Sequence, residues 1–182
     1  MTAYNGDKYE GLSEYMLYGG IPLVVLRNGQ ENKASALENL FSEIYVRDIQ
    51  KRNKVRNIGE LEDLLNIVSS VIGSLTNPEK LLNTFKSIKH SKITSATIKK
   101  YLDYLEDSFL LESAQRYDIK GKKYLASNDK YYLSDHTFRY AKLGTKNLDN
   151  GRVIENIVAM ELLRRGYEVY VGVLYKNEID FV

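Results

Sequence analysis

Apolar and polar positions follow helical spacing through most of this chain, then switch to strand-like alternation, then return to a helix and two strands. A polar start around Asn5-Gly6-Asp7 reads as a linker. Glu14 to Leu17 is a short helical run, stopped by Gly19, Gly20 and Pro22. Leu37, Leu40, Phe41, Ile44 and Tyr45 recur at spacings of three and four, which predicts a helix from about Asn32 to Gln50. The charged stretch from Arg47 to Arg56 reads as an exposed turn.

From Ile58 the stripe Leu61, Leu64, Leu65, Val68, Val71, Ile72 and Leu75 predicts a second helix ending near Gly73. Asn77-Pro78 starts a third, with Asn77 as cap and Leu81, Leu82, Phe85 and Ile88 as its buried face. Thr94 caps a fourth, whose inner face is Ile98, Tyr101, Leu102 and Leu105. Phe109 to Asp118 and Lys122 to Ser134 are strand-like, joined at Lys120-Gly121-Lys122, where Gly121 is expected to supply positive φ. Three helices followed by a hairpin is the order of a winged helix. Asp149 or Asn150 then caps a helix carrying Val153, Ile154, Ile157, Val158, Leu162 and Leu163, with Gly166 at its C-terminal end. Tyr167 to Tyr175 and Glu178 to Val182 read as two strands. The predicted class is α+β: an N-terminal linker and helical segment (1–57), a winged helix (58–135), and a truncated helix–strand–strand module (136–182). The last hairpin is expected to have an unpaired edge.

Composition narrows the chemistry. With 182 residues, 43% hydrophobic and 27% charged, the chain has globular values and enough length for a core. It has no Cys, which excludes thiol catalysis and Cys-ligated zinc or iron–sulfur sites. Nothing near Met1 resembles a signal peptide and no apolar run is long enough to span a membrane, so the expected location is cytoplasmic. The net charge of +2 is too small to identify a polyanion partner by itself. The phosphate-cradling G-x-x-x-x-G-K-[ST] loop is absent. His90 and His136 are the only histidines, and Asp135-His136 reads as loop polarity.

Two groups of residues carry candidate chemistry. Lys80, Lys86, Lys89, Lys92, Lys99 and Lys100 occur with no acid between Lys80 and Asp103. On a winged helix the third helix would present Ser95, Lys99 and Lys100 to nucleic acid, and the wing Lys120, Lys122 and Lys123. A solvated lysine-rich face and a protein-docking module are the alternatives. Tyr117, Tyr124, Tyr131, Tyr132 and Tyr140 are interleaved with Lys and Arg, and read as strand formers rather than a stacking surface. In the tail, Glu178 and Asp180 share one face of a strand, and Glu155 in the preceding helix can approach them. Carboxylates so arranged can hold Mg²⁺ for phosphodiester cleavage, or can be surface acids.

The quoted residues also form an ordered set. Tyr18-Gly19-Gly20-Ile21-Pro22, Tyr45-Val46-Arg47-Asp48-Ile49 and Tyr101-Leu102-Asp103-Tyr104-Leu105-Glu106-Asp107 are followed by Lys130-Tyr131-Tyr132-Leu133-Ser134-Asp135. Gly151-Arg152-Val153-Ile154-Glu155-Asn156, then Glu161-Leu162 to Gly166-Tyr167-Glu168-Val169, and Glu178-Ile179-Asp180-Phe181-Val182 complete it. From Glu14 onward this closely resembles the domain of unknown function that follows the ATPase domain in a large bacterial and archaeal group of AAA-superfamily ATPases. The resemblance implies a winged helix followed by a segment similar to the PD-(D/E)xK nuclease fold. Glu155 matches the family's helix acid and Asp180 its first strand acid. The family's pattern continues into a strand with a further acid and a lysine, and is preceded by an ATPase domain; this chain has neither. The resemblance therefore implies an accessory C-terminal region that binds DNA or a protein partner. ATP and Mg²⁺ belong to the ATPase domain, and no cofactor, metal or catalytic turnover is expected of this chain alone. The alternatives are a metal-dependent nuclease module and a protein-interaction scaffold without nucleic acid.

Overall fold

The computed structural model describes residues 7–89, 91–143, 149–175 and 177–182. Asn5, Gly6, His90 and Lys176, and the side chains of Ile44 and Tyr45, lie outside the described residues. The chain is a mixed α+β structure. Helix α1 (Lys8–Tyr18) starts earlier than the expected linker allows, and α2 (Pro22–Val25) opens on the predicted proline. Helix α3 (Gln30–Asn39) widens into a π-helical segment, Leu40–Val46, and continues as α4 (Arg47–Asn53). The stretch expected as an exposed turn is thus mostly helix. Its charges mislead because they occupy the solvent side, while Ile49 and Val55 are buried on the other.

Helices α5 (Ile58–Ser70), α6 (Pro78–Ile88) and α7 (Ser95–Asp107) follow the predicted stripes. The caps are as expected: Asn77 accepts from the Lys80 amide at 2.8 Å and Thr94 from the Thr97 amide at 3.2 Å. Leu64, Val68, Leu81 and Leu102 share one core with Phe41, Ile49, Phe85, Leu105 and Leu133. Ile88 is a correction: it lies at the last residue of α6 and is 62% exposed, beyond the reach of that core.

Strands β1 (Leu111–Asp118) and β2 (Lys123–Leu133) form the hairpin, with a bulge between Ala114 and Arg116. Positive φ falls on Lys122 (+50°), not Gly121. Gly121 is instead needed for a close approach, its amide donating to Asp118 Oδ1 at 2.9 Å where a Cβ would overlap that carboxylate.

Helix α8 (Thr137–Leu143) leads towards α9 (Asn150–Arg164), capped by Asp149. The expected apolar face of α9 is corrected: Val153, Asn156 and Ala159 are buried, while Ile154 and Val158 face solvent. Only Val171–Leu174 of the expected first tail strand is strand (β3), paired antiparallel with β4 (Asn177–Ile179). β3 also runs parallel to β1, giving one sheet in the order β2-β1-β3-β4. The tail hairpin is therefore paired along β3, its unpaired edge is β4 at the end of the sheet, and strands from both sides of residue 135 share that sheet. Among the described residues no helix is long and apolar enough to cross a membrane.

Candidate functional site

Helix α9 docks on the end of β2 through the side chains of Asn156 and Glu155. Asn156 accepts from the Leu133 amide and donates to the Leu133 carbonyl, both at 2.7 Å, so the amide group completes the strand's hydrogen bonding. Arg152 donates to the Ser70 carbonyl at 3.0 Å and fixes the helix start against α5. One residue before Asn156, Glu155 consequently points back over β2. The motif Gly151 to Asn156 thus sets the position of that carboxylate.

What Glu155 meets was not foreseen from sequence. Lys130, on β2, is almost completely buried, and its Nζ lies 2.8 Å from each of Glu155 Oε1, Glu178 Oε1 and Asp180 Oδ1. Tyr132, two residues along the same strand face, donates its hydroxyl to Glu155 Oε1 at 2.9 Å. Burial alone would push the Lys130 ammonium down, but the hydrogen bonds to Asp180, Glu155 and Glu178 outweigh it and hold the group well above its ordinary value. Tyr132 is pushed up by burial and by the neighbouring Glu155 charge, so it stays a phenol donor. Gly73, at φ +69°, leaves room for this carboxylate: a Cβ there would stand 3.0 Å from Glu155 Oε2.

Glu155, Glu178 and Asp180 therefore do meet at one point, and that point holds an ammonium. The four side chains sum to a charge of −2 with one cation in place. Among the described residues no group of three or more His, Asp or Glu is placed to hold a metal ion. The only sequence signal for Lys130 was a cation inside a Tyr-Tyr-Leu strand, at an alternation position that faces inward.

The basic residues are distributed differently. Lys99 and Lys100 are exposed on α7, with Ser95 half-buried in its first turn. Lys120, Lys122 and Lys123 are exposed at the hairpin turn. Among the described residues none of these five lysines has a carboxylate partner, whereas Lys89 pairs with Asp63 at 3.3 Å. Lys100 lines a cavity of about 340 Å³ together with Lys54, Arg56, Thr97 and Tyr104, so α7 and the end of α4 present three cations together.

Asp135 and His136, expected as loop polarity, are a structural clamp. Asp135 accepts from the Gly20 amide at 3.2 Å and the Thr137 amide at 2.9 Å. Buried His136 donates from Nε2 to the Tyr15 and Met16 carbonyls at 3.0 Å. Gly19, at φ +70°, is required because a Cβ would overlap the Asp135 carboxylate. The Tyr-Gly-Gly-Ile-Pro motif therefore fastens α1 to the end of β2.

A family model described as a domain of unknown function (DUF8612) matches residues 9–149. An uncharacterized protein of Haemophilus influenzae is 41% identical over 170 residues, covering 93% of this chain and 42% of that protein. An uncharacterized protein of Methanocaldococcus jannaschii is 31% identical over 185 residues, covering 100% of this chain and 41% of that protein. The chain thus spans about two fifths of the length of these curated relatives. No solved structure matches it.

Proposed function

Because the chain belongs to the DUF8612 family, we propose a function for that domain: an accessory nucleic-acid-binding region that works beside an AAA-type ATPase domain in cis. In this reading α5, α6, α7 and the β1–β2 hairpin are a winged helix, α7 its recognition helix and the turn Lys120 to Lys123 its wing. The observation that carries it is the set of exposed cations without acidic partners: Lys99 and Lys100 on α7, and Lys120, Lys122 and Lys123 at the turn. Lys54 and Arg56 beside Lys100 add to it. Phosphate contact by about five such groups makes log affinity fall with log salt at a slope of roughly −3 to −5. The α7 surface carries no Arg, so the contacts favour backbone over base readout. Association with an ATPase rests on the ordered motifs, and a cytoplasmic location accompanies it.

The test is a duplex titration at several salt concentrations with the chain and with K99E/K100E. Loss of binding in the variant, with unchanged melting temperature, supports the reading. Absence of any binding at low salt overturns it and leaves protein docking.

The convergence of Glu155, Glu178 and Asp180 favours a second reading, a nuclease-type module in which these acids hold Mg²⁺. It requires the further acid and lysine that the resemblance places on a following strand, and displacement of the Lys130 ammonium from the carboxylates.

A further inference from the structure

The sheet face turned away from α9 carries a group of side chains that the duplex contact does not use. Tyr117 and Tyr124 are direct cross-strand partners on β1 and β2, and Gly172 of β3 stands opposite Tyr117. Tyr170, two residues before Gly172, completes a trio. Its ring centroids lie 5.4 Å (Tyr117–Tyr124), 5.3 Å (Tyr124–Tyr170) and 6.3 Å (Tyr117–Tyr170) apart. The rings, with Ile119 and Val182, line a cavity of about 330 Å³. Gly172 keeps this face low, because Val182, Ile119 and Ile179 occupy the space of its missing side chain.

The trio is held in place without a ligand. The Tyr124 hydroxyl lies 3.5 Å from the Tyr170 hydroxyl, which donates to Glu168 Oε2 at 3.0 Å. Ordering cost is thereby met before binding. The turn lysines lie at the end of the same hairpin: Lys120 and Lys122 are in the turn and Lys123 begins β2 just before Tyr124, while Lys120 Nζ sits 4.6 Å above the exposed Tyr175 ring. The nearby acids are engaged, Asp118 by the Gly121 amide and Glu168 by Tyr170. Ring faces on a sheet whose hairpin end carries ammonium groups without carboxylate partners among the described residues match a ligand that is aromatic and anionic at once.

We infer that Tyr117, Tyr124 and Tyr170 form a stacking site for an unpaired nucleobase, with Lys120, Lys122 and Lys123 holding the adjoining phosphates of a single strand. This rests on the nucleic-acid reading above and deepens it, from duplex contact to recognition of unpaired strand at the hairpin end of the sheet.

The chain has no Trp, so its emission comes from 15 tyrosines, three of them in the site, and the quenching that Y117L/Y124L removes is the part that reports on the site. It is titrated with a short oligothymidylate, an abasic strand of equal length and a duplex of equal length. The expected result is quenching by oligothymidylate and affinity about tenfold or more above the abasic strand. Y117L/Y124L should erase that difference and leave duplex binding unchanged. Should the double variant melt early, Y124L alone replaces it, Tyr124 being 55% exposed. Equal affinity for the abasic strand, or duplex binding without single-strand binding, overturns this inference alone. No binding to any of the three overturns the nucleic-acid reading with it.

Discussion

Lys130 carries its charge where water cannot reach it, and the three carboxylates around it are graded in exposure, 18% for Glu155, 39% for Glu178 and 57% for Asp180. Replacing it by Met leaves three acids facing one another. The expected loss is about 1–3 kcal/mol, below the ~3–5 kcal/mol of a fully buried pair because the outer acids can rehydrate. Since the ammonium is held above its ordinary value of 10.5, the stabilisation is complete below that pH and declines as pH rises above it. In urea melts the advantage of wild type over K130M should therefore be smaller at pH 11 than at pH 7 without vanishing, because the folded ammonium still holds its proton there. His136 works in the opposite sense. Burial lowers it from 6.5, against Asp135 and the Met16 and Tyr15 carbonyls, which favour the charged ring. Its stabilisation is present above 6.5 and is lost as pH falls through its depressed value in the fold. Melting temperature should drop between pH 7 and pH 5, and the drop should shrink in H136Q, which removes the titration and keeps a donor. Neither role was legible in sequence: Lys130 resembles any strand lysine, and His136 any loop histidine, until the chain brings Glu155 and Tyr15 to them.

At the scale of elements, periodicity located α5, α6, α7 and the hairpin because each has one partner face and a cap of ordinary chemistry. Leu102 shows the consequence. It is 2% exposed and shares a core with Leu64, Val68 and Leu81, so Leu102→Ala should cost about 2–5 kcal/mol in chemical denaturation. Periodicity failed for α9, where the stripe through Ile154 and Val158 suggested burial. The helix buries Val153 and Ala159 and is fixed in place by Asn156 and Arg152, polar contacts that hydrophobic patterning does not register. Ile154→Lys should accordingly change stability by less than about 0.5 kcal/mol, measured by the same denaturation. It failed also for Arg47 to Arg56, because a helix with one buried residue per turn looks polar when read linearly.

For the whole molecule, the acids of the tail and the lysines of the central part belong to one body through the β1–β3 pairing, which no local signal announces. Glu155 and Asp180 were legible as residues that can meet; the ammonium between them was not. With that ammonium in place, residues 1–182 should show no Mg²⁺- or Mn²⁺-dependent cleavage of DNA. Cleavage abolished by Asp180→Ala would move the nuclease reading to first place. The parallel pairing has a further consequence, for assembly. Arg116, Tyr117 and Asp118 are joined to Val171, Gly172 and Val173, more than fifty positions later in the chain. A protein cut after residue 149, where the family match ends, keeps the helical core but loses the partner of that strand segment. Its bared amides and carbonyls would accept the same segment from a second molecule, so the shortened chain should self-associate with increasing concentration while residues 1–182 do not pair through that segment.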